Sequence, residues 1–109
     1  MATKGWGMLV YGSDNGYYTD GVYTIDNCTF NGKATQGIYI NECNSGAVYN
    51  ITNCTFKGDF GSEGAVTIQN NANVNFTVNV EGCTFNNIPS TSHDIYLKYD
   101  NSDCTLNIR

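Results

Sequence analysis

Charge is scarce in this sequence of 109 residues. Five Lys and Arg stand against ten Asp and Glu, and charged residues make up 14% of the chain. No basic run exists, so the electrostatic footprint of a nucleic-acid binder is missing and no nucleic acid is expected as a partner. No apolar stretch approaches the roughly 20 residues of a membrane-spanning helix, so no membrane insertion is expected. The opening residues Met1-Ala2-Thr3-Lys4-Gly5 lack the apolar core of a secretory signal, and no signal peptide is read in this chain. No Cys-x-x-Cys or Cys/His pattern with metal spacing occurs. Long apolar stripes at helical spacing are missing too. What fills the chain is Asn, Thr, Gly and Tyr, a mixture that disfavours helices and suits short strands joined by tight turns.

Within that mixture one tetrapeptide recurs. Asn27-Cys28-Thr29-Phe30 is followed by Asn53-Cys54-Thr55-Phe56 and Gly82-Cys83-Thr84-Phe85. Each copy follows an alternating run, Val22-Tyr23-Thr24-Ile25, Val48-Tyr49-Asn50-Ile51 and Val78-Asn79-Val80. A further strand signal precedes each run: Gly7-Met8-Leu9-Val10, Gly37-Ile38-Tyr39-Ile40, Ala65-Val66-Thr67-Ile68 and Asp94-Ile95-Tyr96-Leu97. Aligning Val10, Ile40, Ile68 and Leu97 gives steps of 30, 28 and 29 residues. Aligning Ile25, Ile51, Val80 and Ile108 gives 26, 29 and 28. Cys104-Thr105-Leu106 imitates the tetrapeptide but belongs elsewhere: Leu106-Asn107-Ile108 matches Tyr49-Asn50-Ile51, so Cys104 corresponds to Ala47.

A period near 28 residues that holds three short strands and no helix reads as a coil of stacked strands, a parallel β-helix with one rung per repeat. The expected fold is all-β, a short right-handed solenoid of three full rungs plus a partial fourth; the hand follows from the rule for parallel crossovers. Residues 1–109 form a single domain, with a lead-in over 1–6 and rungs at about 7–36, 37–63, 64–92 and 93–109. Alternation points Cys28, Cys54 and Cys83, with Phe30, Phe56 and Phe85, into one corner of the core as a structural ladder. Asn27, Asn53 and Gly82 mark a bend that needs the left-handed backbone region, which Asn and Gly tolerate.

These repeats resemble the right-handed parallel β-helix proteins of the pectate-lyase-like superfamily, including adhesin-like and phage tailspike-like members. The resemblance implies the fold; the matching residues are core and turn residues, and they carry no activity.

Chemistry is thinner than architecture. Five cysteines cannot all pair within one chain, and nothing basic flanks the three repeat cysteines to lower a thiol pKa, so inert core thiols are expected. Thr29, Thr55 and Thr84 form one outward column; ice-binding helices repeat Thr-x-Thr in two, so this reads as a strand-favouring surface. Asp26 and Glu81 share an equivalent position two rungs apart, about 9.6 Å, near the carboxylate separation of inverting glycosidases, but nothing else in the sequence marks them as a pair. His93 follows the loop of the sole proline and reads as solvated. No catalytic residues and no metal ligands are assigned, and no enzyme activity is expected.

The longest inter-strand segment, residues 13–21, suggests a ligand site. Asp14 and Asp20 flank Tyr17 and Tyr18, with Trp6 and Tyr11 nearby; aromatic faces beside carboxylates suit sugar rings. The same acids with backbone oxygens offer Ca²⁺ the ligand type it takes, without the spacing of an EF-hand; no other cofactor is expected. The leading functional expectation is a non-catalytic structural or adhesive module at an extracellular cell surface or on a virion. It would self-assemble as a homo-oligomer or end-to-end filament, or join a larger assembly. The alternative is a glycan-binding or polysaccharide-processing fragment.

Overall fold

A computed structural model describes residues 6–11, 21–33, 36–41, 46–69, 75–98 and 104–109; for 6–11, Lys33 and Asn41 it describes the backbone alone. The described residues form eleven strands and no helix. In chain order they are β1 (Trp6–Tyr11), β2 (Gly21–Asp26), β3 (Thr29–Lys33), β4 (Gln36–Asn41), β5 (Ala47–Thr52), β6 (Thr55–Asp59), β7 (Gly64–Gln69), β8 (Phe76–Glu81), β9 (Thr84–Asn86), β10 (His93–Lys98) and β11 (Cys104–Ile108).

The strands wind through three parallel sheets. Sheet A runs β1-β4-β7-β10, sheet B runs β2-β5-β8-β11 and sheet C runs β3-β6-β9. The chain is therefore a parallel β-helix of three full rungs and a fourth that has two of its three strands. The register is the one the repeat spacing predicts. Val10 pairs with Ile40, Ile40 with Ile68, and Ile68 with Leu97. In sheet B the column is Ile25, Ile51, Val80, Ile108. Cys104 lies opposite Phe76 at the start of sheet B, the column position of Ala47 and not that of the repeat cysteines.

The bend between sheets B and C is made as the tetrapeptide requires. Asn27, Asn53 and Gly82 have φ of 58°, 54° and 68°. Hydrogen bonding carries on through the bend, with Asn27 N donating to Thr52 O at 3.0 Å and Asn53 N to Glu81 O at 2.9 Å. A second bend column, not expected from the sequence, follows the Phe positions. Gly58 and Asn87 have φ of 90° and 55°. At its first-rung position Gly32 is pressed so close to the next rung that a Cβ would stand 2.3 Å from the Asp59 carbonyl oxygen.

Like packs on like in the interior. The Phe56 ring lies stacked between Phe30 and Phe85, with centroids 5.1 and 5.0 Å away. Phe60, which has no counterpart in the repeat, closes the corner edge-on against Phe56. Each such buried ring contributes about 2–3 kcal/mol of transfer free energy. Burial is complete only in the middle of the stack: Ile38, Ile40, Ile51, Phe56, Val66, Ile68 and Val78 are fully covered. The inward residues of the outer rungs are less covered: Tyr23 is 39%, Leu97 43% and Ile108 62% exposed. Cys54 is buried, whereas Cys28 and Cys83 are only partly so.

Candidate functional site

The sequence-predicted ligand residues divide in two. Trp6 and Tyr11 are the first and last residues of β1, opposite Gln36 and Asn41. Five residues apart on one strand, they stand roughly 16 Å from each other along the backbone. Asp14, Tyr17, Tyr18 and Asp20, with the Ca²⁺ expectation attached to them, lie outside the described residues.

Within the described residues the polar chemistry gathers on the outer surface of sheet B. Strand alternation turns Asn50, Asn79 and Asn107 away from the core, in one column. Asn79 Nδ2 donates to Asn50 Oδ1 at 2.8 Å, and Asn107 Nδ2 donates to Asn79 Oδ1 at 2.9 Å. Every link points the same way along the helix axis. Each link uses one donor and one acceptor, and a primary amide has a second of each. The column begins one rung earlier with Thr24.

Beside it runs a charged column. Asp26 pairs with Thr52, and Thr52 with Glu81. Arg109 follows, fixed in register by its N donating to Val80 O at 2.9 Å and its O accepting from Gly82 N at 3.1 Å. Asn50, Thr52, Asn79, Glu81, Asn107 and Arg109 line a shallow recess of about 270 Å³. Thr52 Oγ1 donates to Asp26 Oδ1 at 2.6 Å and Asn53 Nδ2 to the same oxygen at 3.2 Å. Both bonds favour the charged carboxylate, Thr52 more strongly, and together they hold the Asp26 pKa below its ordinary value. A glycosidase acid needs the opposite shift. Asp26 is thus built to stay ionised, and Thr52 fills the space between the two carboxylates.

On the outer side of sheet A a different group gathers. Glu63, just before β7, accepts from Gln36 Nε2 and pairs with Lys98 Nζ at 2.9 Å. Lys98 lies opposite Gln69, the far end of the strand pair from Glu63, so the two side chains reach toward each other across the sheet. The Tyr39 hydroxyl donates to Gln69 Oε1, and the fully buried Thr67 exchanges hydrogen bonds with the backbone of Gly64. All six residues of β7 are buried, those facing outward as well as those facing the core. His93 opens β10, exposed and stacked on Tyr96 at 5.2 Å.

Two of the thiols are held protonated at neutral pH. Burial raises the Cys54 pKa and pushes that of Cys104 up to about 11. Among the described residues no three His, Cys, Asp or Glu side chains cluster as a metal site would require, and no helix is long and apolar enough to cross a membrane. Neither the amide column nor Arg109 was singled out from the sequence as a site. The signal was present, since Asn50 and Asn107 sit at matched positions in the repeat, but alternation marked them only as outward and polar. Comparison with protein-family models, curated proteins and solved structures gave no match.

Proposed function

We propose that this chain is a non-catalytic structural or adhesive β-helix module, of the adhesin-like or tailspike-like kind, that works within an assembly at a cell surface or on a virion. The supporting observation is the state of its two ends. At one end the edge strand β2 carries Val22 and Tyr23, 70% and 39% exposed; at the other, β10 and β11 carry Leu97 and Ile108, 43% and 62% exposed. Edge strands with unpaired backbone groups and exposed apolar side chains are templates for another strand. Solenoids otherwise cover them with polar caps. Light scattering across a concentration series, with electron microscopy of the same samples, tests the reading. Growth in mass with concentration, and elongated particles, are expected. A monomer of constant mass that keeps its fold throughout overturns it.

A second reading, glycan binding, is favoured by the recess over sheet B. Its amides, Thr52, Glu81 and Arg109 offer donors and acceptors repeated at about 4.8 Å, a pattern that sugar hydroxyls can meet. A glycan array measured with the native chain and with Asn79→Ala tests it; binding that Asn79→Ala leaves unchanged excludes this face.

A further inference from the structure

We propose that the column of Cys28, Cys54 and Cys83 is a binding site for a soft, two-coordinate metal ion of the Cu(I) type. The ion is held between thiolates of neighbouring rungs, and Cys54 is the ligand common to both positions.

The ladder is regular down to the sulfur atoms. Each cysteine follows a bend residue with the same left-handed backbone, φ being 58° at Asn27, 54° at Asn53 and 68° at Gly82. Each thiol lies against the main-chain carbonyl two residues before it: Asp26 O at 3.4 Å, Thr52 O at 3.3 Å and Glu81 O at 3.7 Å. Cys54 and Cys83 also share a carbonyl contact one rung earlier, on Ile25 and Ile51. Main-chain bonds hold the levels in register, Thr55 N donating to Cys28 O and Thr84 N to Cys54 O, both at 2.9 Å. Side chains with the same backbone and the same contacts share a rotamer. One sulfur is therefore carried onto the next by the step between rungs, about 4.8 Å.

That spacing selects the chemistry. A disulfide needs its sulfurs about 2.05 Å apart, so neighbouring thiols would have to close more than half of the gap. A metal–thiolate bond is about 2.3 Å long, and two in a line span about 4.6 Å, close to the rung step. Zinc takes four ligands in a tetrahedron, whereas a straight column cannot converge its donors on one point. Among the described residues no three His, Cys, Asp or Glu side chains do so. Soft thiolates select Cu(I), whose filled d shell accepts two ligands in a line.

The column is both apolar and reachable. Cys28 and Cys83 pack against the core cluster that contains Cys54 and Phe56. Cys54 is buried, while Cys28 and Cys83 are partly exposed, so an ion enters at either of these and is shared with the buried thiol. On binding, two S–H bonds break and two S–Cu bonds form. Both protons pass to solvent, and the copper stays Cu(I).

The test uses the full chain carrying Cys43→Ser and Cys104→Ala, so that only the column thiols remain. Cu(I), added as its acetonitrile complex without oxygen, is titrated against a chromophoric Cu(I) chelator. X-ray absorption reads the ligands, and circular dichroism reads the fold. Two sulfurs at the metal, and no other ligand, are expected. Cys54→Ser should weaken binding about a hundredfold, the low end of what a second tethered ligand contributes. Cys28→Ser leaves the Cys54–Cys83 position and should keep a tight site. The double variant Cys28→Ser, Cys83→Ser spares the buried thiol and should lose the site, so it reports even where Cys54→Ser perturbs folding. Absence of binding, three or more ligands at the metal, or equal affinity with and without Cys54 overturns the site. None of these outcomes bears on the assembly reading.

Discussion

The Cys54 thiol has two main-chain carbonyls to share its one proton between, that of Ile25 one rung earlier at 3.5 Å and that of Thr52 at 3.3 Å. Cys83 repeats the contact on Ile51 at 3.4 Å. The core cysteines therefore act as weak donors that tie one rung to the next.

That contact sets what serine does there. A buried hydroxyl without a partner costs about 1–3 kcal/mol, but at Cys54 carbonyl acceptors are already in place. Cys54→Ser is expected to cost about 1 kcal/mol, the low end of that range, measured by urea unfolding. Thiol-reagent labelling of the native chain should modify Cys28 and Cys83 well before Cys54, which burial both shields and keeps protonated. Equal rates at all three would contradict the buried position of Cys54.

The aromatic column should show position dependence. Phe56→Ala removes a fully buried ring with stacked neighbours on both sides and should cost about 3–5 kcal/mol. Phe30→Ala and Phe85→Ala remove half-buried rings with one stacked neighbour each and should cost less. Urea midpoints of the three variants give the order directly.

At the bend, Asn53 combines a φ of 54° with a hydrogen bond to Asp26. Asn53→Gly keeps the backbone state and loses one exposed hydrogen bond, so stability should change by less than about 1 kcal/mol. Asn53→Val forces a β-branched residue into the left-handed region and should cost at least about 1–2 kcal/mol. Equal midpoints for the two variants would contradict the bend.

Asp26 gives the chain an acid-sensitive element. Its folded pKa is depressed by Thr52 and Asn53, so its stabilising effect is fully present above the unfolded value of about 3.9. It is lost as pH falls through the lower folded pKa. The stability gap between the native chain and Asp26→Asn should hold steady from neutral pH down to about 4 and close below it. A gap that widens on acidification would reverse the assignment.

The strand columns were legible because a rung stacked on a rung demands a similar residue at each level; Val10, Ile40, Ile68 and Leu97 satisfy that, and so do the bend residues Asn27, Asn53 and Gly82. Phe60 was not legible, since only one rung carries it. The second bend leaves a weaker trace, Gly32, Gly58 and Asn87 following the Phe positions at constant spacing, because two Gly and one Asn share no side chain that marks them as a column. The Glu63–Lys98 pair joins residues 35 apart through long side chains, and strand alternation says nothing of reach. The polar surface of sheet B was visible only as outward positions: a column of Asn becomes a directed chain of bonds only when its register and amide orientations are known. The loop residues Asp14, Tyr17, Tyr18 and Asp20, which the sequence favoured, lie outside the described residues.

The three sheets also dictate how the chain would respond to force. Strand pairing runs along the helix axis, so a load applied between the two ends passes through every rung interface in series, and the weakest interface yields first. That is an end rung, which buries least, and the next rung then becomes the exposed end. Each event frees about 28 residues, a contour of roughly 95 Å at about 3.4 Å per residue. Pulled along its axis, the chain should lengthen in even steps at modest force, behaving as an extensible tether in tension.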